Sequence, residues 1–230
     1  MSNAPTLLND DGTASMATAL MSSHHAFRRD LGRFARALER MAQGEVSRAS
    51  AVAEEWKHLY GALHGHHQAE DTGLFPNLAK EHASVRTTIE KLEADHRRID
   101  PLLERGNIAF AELANVANVA DARAVIAELS ELLRPHLALE EAELIPFLRA
   151  AKSFPGPATE ADAEMYAHGF AWAMHGLAPA VLTALDAMVP EMLRAKLPAA
   201  RAAFAARCEQ VWGSARAGAA FTPIPEGDPV

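Results

Sequence analysis

The chain has 230 residues, a formal net charge of −8 and 49% apolar residues, enough to build a core and too many for a disordered chain. The acidic balance argues against nucleic acid as the main partner, and a single cysteine, Cys208, excludes a disulfide framework or a thiolate metal cluster. Helix-forming residues dominate over Tyr, Ile and Thr, which predicts an all-α fold, and eleven histidines stand out against two tyrosines and three tryptophans.

Residues 1–15 are polar, with neither a basic start nor an apolar run, and read as a flexible N-terminal tail of a cytoplasmic protein without a signal peptide. Leu20, His24, Phe27, Leu31, Phe34, Leu38 and Met41 then recur at spacings of three and four, one face of a helix that ends near Gly44. Ser47 is the expected N-cap of a second helix, with the stripe Val52, Trp56, Leu59, Leu63, His66, Glu70 and Leu74. A third starts at Ser84 and carries Val85, Ile89, Leu92, His96, Ile99 and Leu103. A fourth starts near Asp121 and carries Ile126, Leu129, Leu133, His136, Glu140, Leu144 and Phe147. The short connections predict an antiparallel up-down four-helix bundle over residues 16–152. Pro155 and Pro157 flank Gly156 in a linker, 153–159, and an accessory helical segment follows over 160–213, broken near Pro179, Pro190 and Pro198. Met165, His168, Trp172 and His175 share a predicted face of it. Residues 214–230, rich in Gly and Pro, read as a flexible tail. The most apolar stretch, 169–182, is too short and too broken for membrane insertion.

Each of the four stripes carries one histidine, and two carry a glutamate four residues later, on the same helix face. With turns centred at about residues 45, 82 and 118, antiparallel packing brings His24, His66, His96 and His136 to one height, within about 6 Å at ~1.5 Å per residue. One histidine in an apolar stripe reads as a hydrogen-bonded core residue. Six polar groups that coincide in stripe, pairing and level read as a metal site, because burying them without partners costs several kcal/mol each. Imidazole with carboxylate suits iron, manganese or zinc, and two carboxylates from different helices can each bridge two ions. Pro101 and Pro135 fall inside the third and fourth helices, where each removes a backbone hydrogen bond. They read either as kinks that aim ligands or as tolerated irregularities.

These motifs resemble the hemerythrin-like, HHE cation-binding family. The matching text is His24-His25 on helix one; His66 to Glu70, then Leu74-Phe75-Pro76, on helix two; Asp95-His96 on helix three; and His136 to Glu140, then Leu144-Ile145-Pro146, on helix four. The resemblance implies two bridged iron ions, with His24, His66, His96 and His136 as terminal ligands and Glu70 and Glu140 as bridges. The oxygen-carrying members place a second histidine one turn after that of helix three, where this chain has Asp100. They bridge with an aspartate at the position of Glu141. Both departures point away from simple O2 transport and toward the broader group, with O2, NO or peroxide as the small ligand for sensing, storage or redox chemistry. His25 is an alternative to His24. His67 pairs with Asp71 at i, i+4, about 100° round the helix from His66, and is open as a further ligand or as an outer partner. His64, Asp100 and Glu141 are also candidate outer partners. Two other functions stay open: a diiron oxidase or oxygenase acting on a small organic substrate beneath the C-terminal helices, and a regulatory protein whose contacts depend on iron or oxygen.

Overall fold

A computed structural model of the chain describes residues 6–113, 115 and 118–213; the tail read at 214–230, and residues 1–5 of the N-terminal one, lie outside the described residues. All regular elements among the described residues are helical: α1 (Met16–Ala42), α2 (Ala49–Ala69), α3 (Phe75–Glu81), α4 (Arg86–Ala111), α5 (Val119–Glu143), α6 (Ile145–Leu148), α7 (Glu160–Met174), α8 (Pro179–Met188), α9 (Glu191–Arg194) and α10 (Leu197–Trp212). This is the expected all-α bundle with additional C-terminal helices. Ser47 and Ser84 do not cap α2 and α4. Both lie within 3-10 turns, Val46–Arg48 and Ala83–Val85, that lead into those helices. No described helix is long and apolar enough to cross a membrane.

The chain divides into two compact units. Among the described residues, the central unit comprises Asp30–Leu144 with 210–213. Side-chain pairs give its helix directions. Trp56 Nε1 donates to Asn107 Oδ1 at 2.9 Å, and the Tyr60 hydroxyl donates to Glu104 at 2.7 Å, so rising numbers on α2 meet falling numbers on α4. Likewise Arg105 meets Glu128 while His96 meets His136, so α4 and α5 are antiparallel. Phe34 of α1 lies edge-on to Trp56 and Phe110, and Trp56 stacks flat on Phe110 at 4.5 Å. Pro101 and Pro135 are exposed and α4 and α5 run through them, because a carbonyl that loses its helical partner on the outer face is left to water.

Gly106 is required by this packing. A Cβ there would lie 1.9 Å from Trp56 Cζ2, against a ring already fixed by Phe110. Gly→Ala in a helix normally gains about 1 kcal/mol in propensity. Here overpacking outweighs that gain, and Gly106→Ala is expected to lower unfolding stability by about 1–3 kcal/mol in urea titration. Equal or higher stability would contradict the close approach.

Among the described residues, the terminal unit comprises 6–29 and Ile145–Glu209. Its core includes Leu7, Ala17 and Met21 with Ile145, Met174, Leu177 and Leu185. Residues 6–15 have no periodic pattern, yet they are anchored. Thr18 Oγ1 donates to the Leu7 carbonyl at 2.7 Å, and Arg149 donates to the Thr6 carbonyl at 2.7 Å. Thr159 and Asp162 form a capping box at the start of α7. At its other end Arg29 donates to the carbonyls of Trp172 and His175, which places a cation at the carbonyl end of the helix. The buried face of α7 is Ala163, Ala167, Ala171 and Met174, not the predicted face; Met165 and His168 are exposed. Alanines let a neighbouring helix approach closely, which side-chain size alone does not signal.

Candidate metal centre

Within the central unit, three helices bring histidines and carboxylates to one place. The last turn of α2 supplies His66 and His67, α4 supplies His96, and α5 supplies His136 and Glu140. Glu70 and Asp71 open a π-helical turn, Glu70–Leu74, that joins α2 to α3. Pro76 just beyond it cannot donate to the Thr72 carbonyl, and Gly73 holds helical geometry weakly, so the regular ladder gives way to a wider turn there. Glu70 follows His66 by four residues and His67 by three, so it shares a helix face with both.

His66 Nε2 lies 3.1 Å from Glu70 Oε1, and His96 Nε2 lies 3.6 Å from Glu70 Oε2. Glu140 Oε1 lies 3.7 Å from His136 Nε2, which is 3.3 Å from His96 Nε2. One ligand atom from each of Glu70, His96, His136 and Glu140 fits within a 4.8 Å span, and so does a set from His67, His96 and His136. The His67 ring stacks on His96 at 4.0 Å and stands edge-on to His136 at 5.7 Å. His96 Nδ1 is 2.8 Å from Asp71 Oδ1. Donation of its proton to that carboxylate leaves the Nε2 lone pair facing the cluster.

The centre is dry. Glu70, His67 and His96 are each 2% exposed, and His136 and Glu140 are wholly buried. Burial raises the Glu70 carboxyl well above the ordinary range, and the nearby Glu140 and Asp71 carboxylates raise it further. Burial also drives His67 down to about 2, with His96, His66 and His136 adding to the effect. Neither ring nitrogen of His67 has a hydrogen-bond partner, and neither oxygen of Glu70 receives an aligned hydrogen bond. Groups of this kind are costly in a core unless a cation collects their lone pairs. The residues therefore fit a metal, and their donors are nitrogen and oxygen only, a set that suits iron, manganese or zinc.

The other candidates are placed as follows. His24 and His25 belong to the terminal unit, where both are buried; His25 Nε2 lies 3.3 Å from the His175 carbonyl. His64 is exposed and stacks with Tyr60, and Asp100 is exposed, so neither joins the cluster. Glu141 is buried but is not among the residues whose ligand atoms converge within the described part of the chain. Asp95, named above only as part of the helix-three text, lies beside the cluster. Its Oδ2 lies 3.9 Å from His136 Nδ1, and its only signal in the sequence is its place beside His96.

No curated protein and no solved structure matches the chain. The family model described as the hemerythrin HHE cation binding domain matches residues 15–148, more than half of the chain and all of the helices that supply the cluster. With its paired His and Glu residues gathered in a buried, thiolate-free cluster, the chain belongs to the hemerythrin HHE cation-binding domain family.

Proposed function

We propose that the protein holds two iron ions and binds O2, NO or peroxide, for sensing, storage or redox chemistry. The observation that carries this reading is the gathering of Glu70, His96, His136 and Glu140 in a buried core, with both Glu70 oxygens unmet by aligned donors. In this reading Glu70 and Glu140 hold the ions between them, His66, His96 and His136 are terminal ligands, and His24 is assigned from the family motif on α1. Bound ferrous iron supplies the electrons that such small ligands accept. The protein's part is to orient and to exclude water. Asp71 fixes the His96 ring, and Leu63, Leu92 and Leu133, one turn before the histidines of their helices, are wholly or almost wholly buried.

Metal analysis of full-length protein, grown in iron-replete medium and purified under native conditions, tests the reading. Two irons per chain with a charge-transfer band in the near ultraviolet are expected. Fewer than one iron per chain and no such band would overturn it.

A further inference from the structure

Asp100 of α4 is exposed and adds no ligand to the cluster. The cluster nevertheless holds a third imidazole beside His96 and His136, and it comes from α2. We infer that His67 is a metal ligand in its own right, which completes a three-histidine set with His96 and His136; this rests on the diiron reading above.

Three observations carry it. First, ligand atoms of His67, His96 and His136 lie within 4.8 Å of one another. Secondly, His67 is 2% exposed, more deeply buried than His66, its neighbour in the motif. Thirdly, both of its ring nitrogens are without hydrogen-bond partners. A histidine kept for packing would satisfy at least one nitrogen, since an unmet buried polar group costs stability. The face-to-face approach of its ring to His96 at 4.0 Å also brings two nitrogen-bearing rings together with no donor from outside the cluster on His67. A cation that takes a lone pair of His67 removes that cost. Ligand sets of two histidines on adjacent positions of one helix diverge by about 100°, so His66 and His67 serve different sides of the cluster, with Glu70 between them.

The test uses full-length wild type, His67→Leu and His64→Leu, the last removing an exposed histidine of the same helix. His67→Leu without metal is expected to melt at or above the wild-type temperature, because an unsatisfied imidazole is lost. Its iron content should fall from two toward one per chain, with affinity for one ion about 100-fold weaker, the upper end of what loss of an outer partner alone costs. His64→Leu should keep both ions. A measurement on the wild type needs no variant: on titration with zinc, which takes the same donors, the ¹⁵N resonance of a His67 ring nitrogen should move to the metal-bound range. Two irons in His67→Leu at unchanged affinity, or a His67 resonance indifferent to zinc, would overturn the assignment while leaving the diiron reading intact. Fewer than one iron in the wild type would overturn both.

Discussion

Glutamine in place of Glu70 is expected to strip the protein of bound iron while leaving it folded. Glu70 is the carboxylate that reaches both ways, with Oε1 3.1 Å from His66 Nε2 and Oε2 3.6 Å from His96 Nε2. Glutamine keeps the size and removes the charge and one acceptor. Loss of an outer partner of a metal ligand costs about 10–100-fold in affinity, so loss of a bridging ligand should cost about 100-fold or more. Stability of the metal-free protein should move the other way. The Glu70 carboxyl is raised above its usual value of 4.5, so its favourable contribution is present below pH 4.5 and is lost as pH rises through the raised value. The metal-free fold therefore carries a buried carboxyl whose ionisation is costly, and glutamine removes that cost. Denaturant unfolding after chelation should find Glu70→Gln as stable as wild type or more so. Iron retained at two per chain would exclude Glu70 as a bridge, and collapse of the metal-free variant would make it a structural residue instead.

Trp56→Ala should do the reverse and cost stability without touching the ligands. Trp56 is 1% exposed, stacked on Phe110, edge-on to Phe34 and hydrogen-bonded to Asn107. Gly106 has surrendered its side chain to make room for the ring. Removing a buried aromatic from such a fixed site leaves a cavity and costs about 3–5 kcal/mol. That is a large share of the roughly 5–15 kcal/mol that holds a domain together. Trp56 precedes His66 by ten residues, about 15 Å along the helix, so iron per folded chain should not change. Urea titration of the metal-free variant checks the first claim and metal analysis at low temperature the second. A loss below about 1 kcal/mol would mean that the aromatic cluster is not a keystone of the central unit.

Much of this was legible in the chain. Apolar residues at three- and four-residue spacing announce helices because that period places them on one face, and a histidine or glutamate inside such a stripe is conspicuous. His96, His136, Glu70 and Glu140 were visible for that reason, and the structure buries all four in one cluster. Position within the stripe favoured His66, and it could not show that His67 also lies at the cluster. Adjacent residues point only about 100° apart, and which of them meets α4 and α5 depends on how α2 is rotated against those helices. Asp71 reaches His96 through a π turn, which has no period to detect. The start of α2 and of α4 escaped for a similar reason, since a 3-10 turn satisfies the first backbone groups before any side-chain cap is needed.

The sequence by itself determined the all-helical class and the nitrogen and oxygen character of any metal donors. These follow from residue type and spacing, which are local properties of the chain. The tertiary structure alone decided that residues 6–29 pack with Ile145–Glu209 in one unit, that alanines rather than Met165 and His168 form the buried face of α7, and that His67 lies against His96 while His64 faces solvent. Each of these depends on the distance and rotation between helices far apart in the chain, and those are set by the fit of side chains across an interface rather than by the order of residues along it.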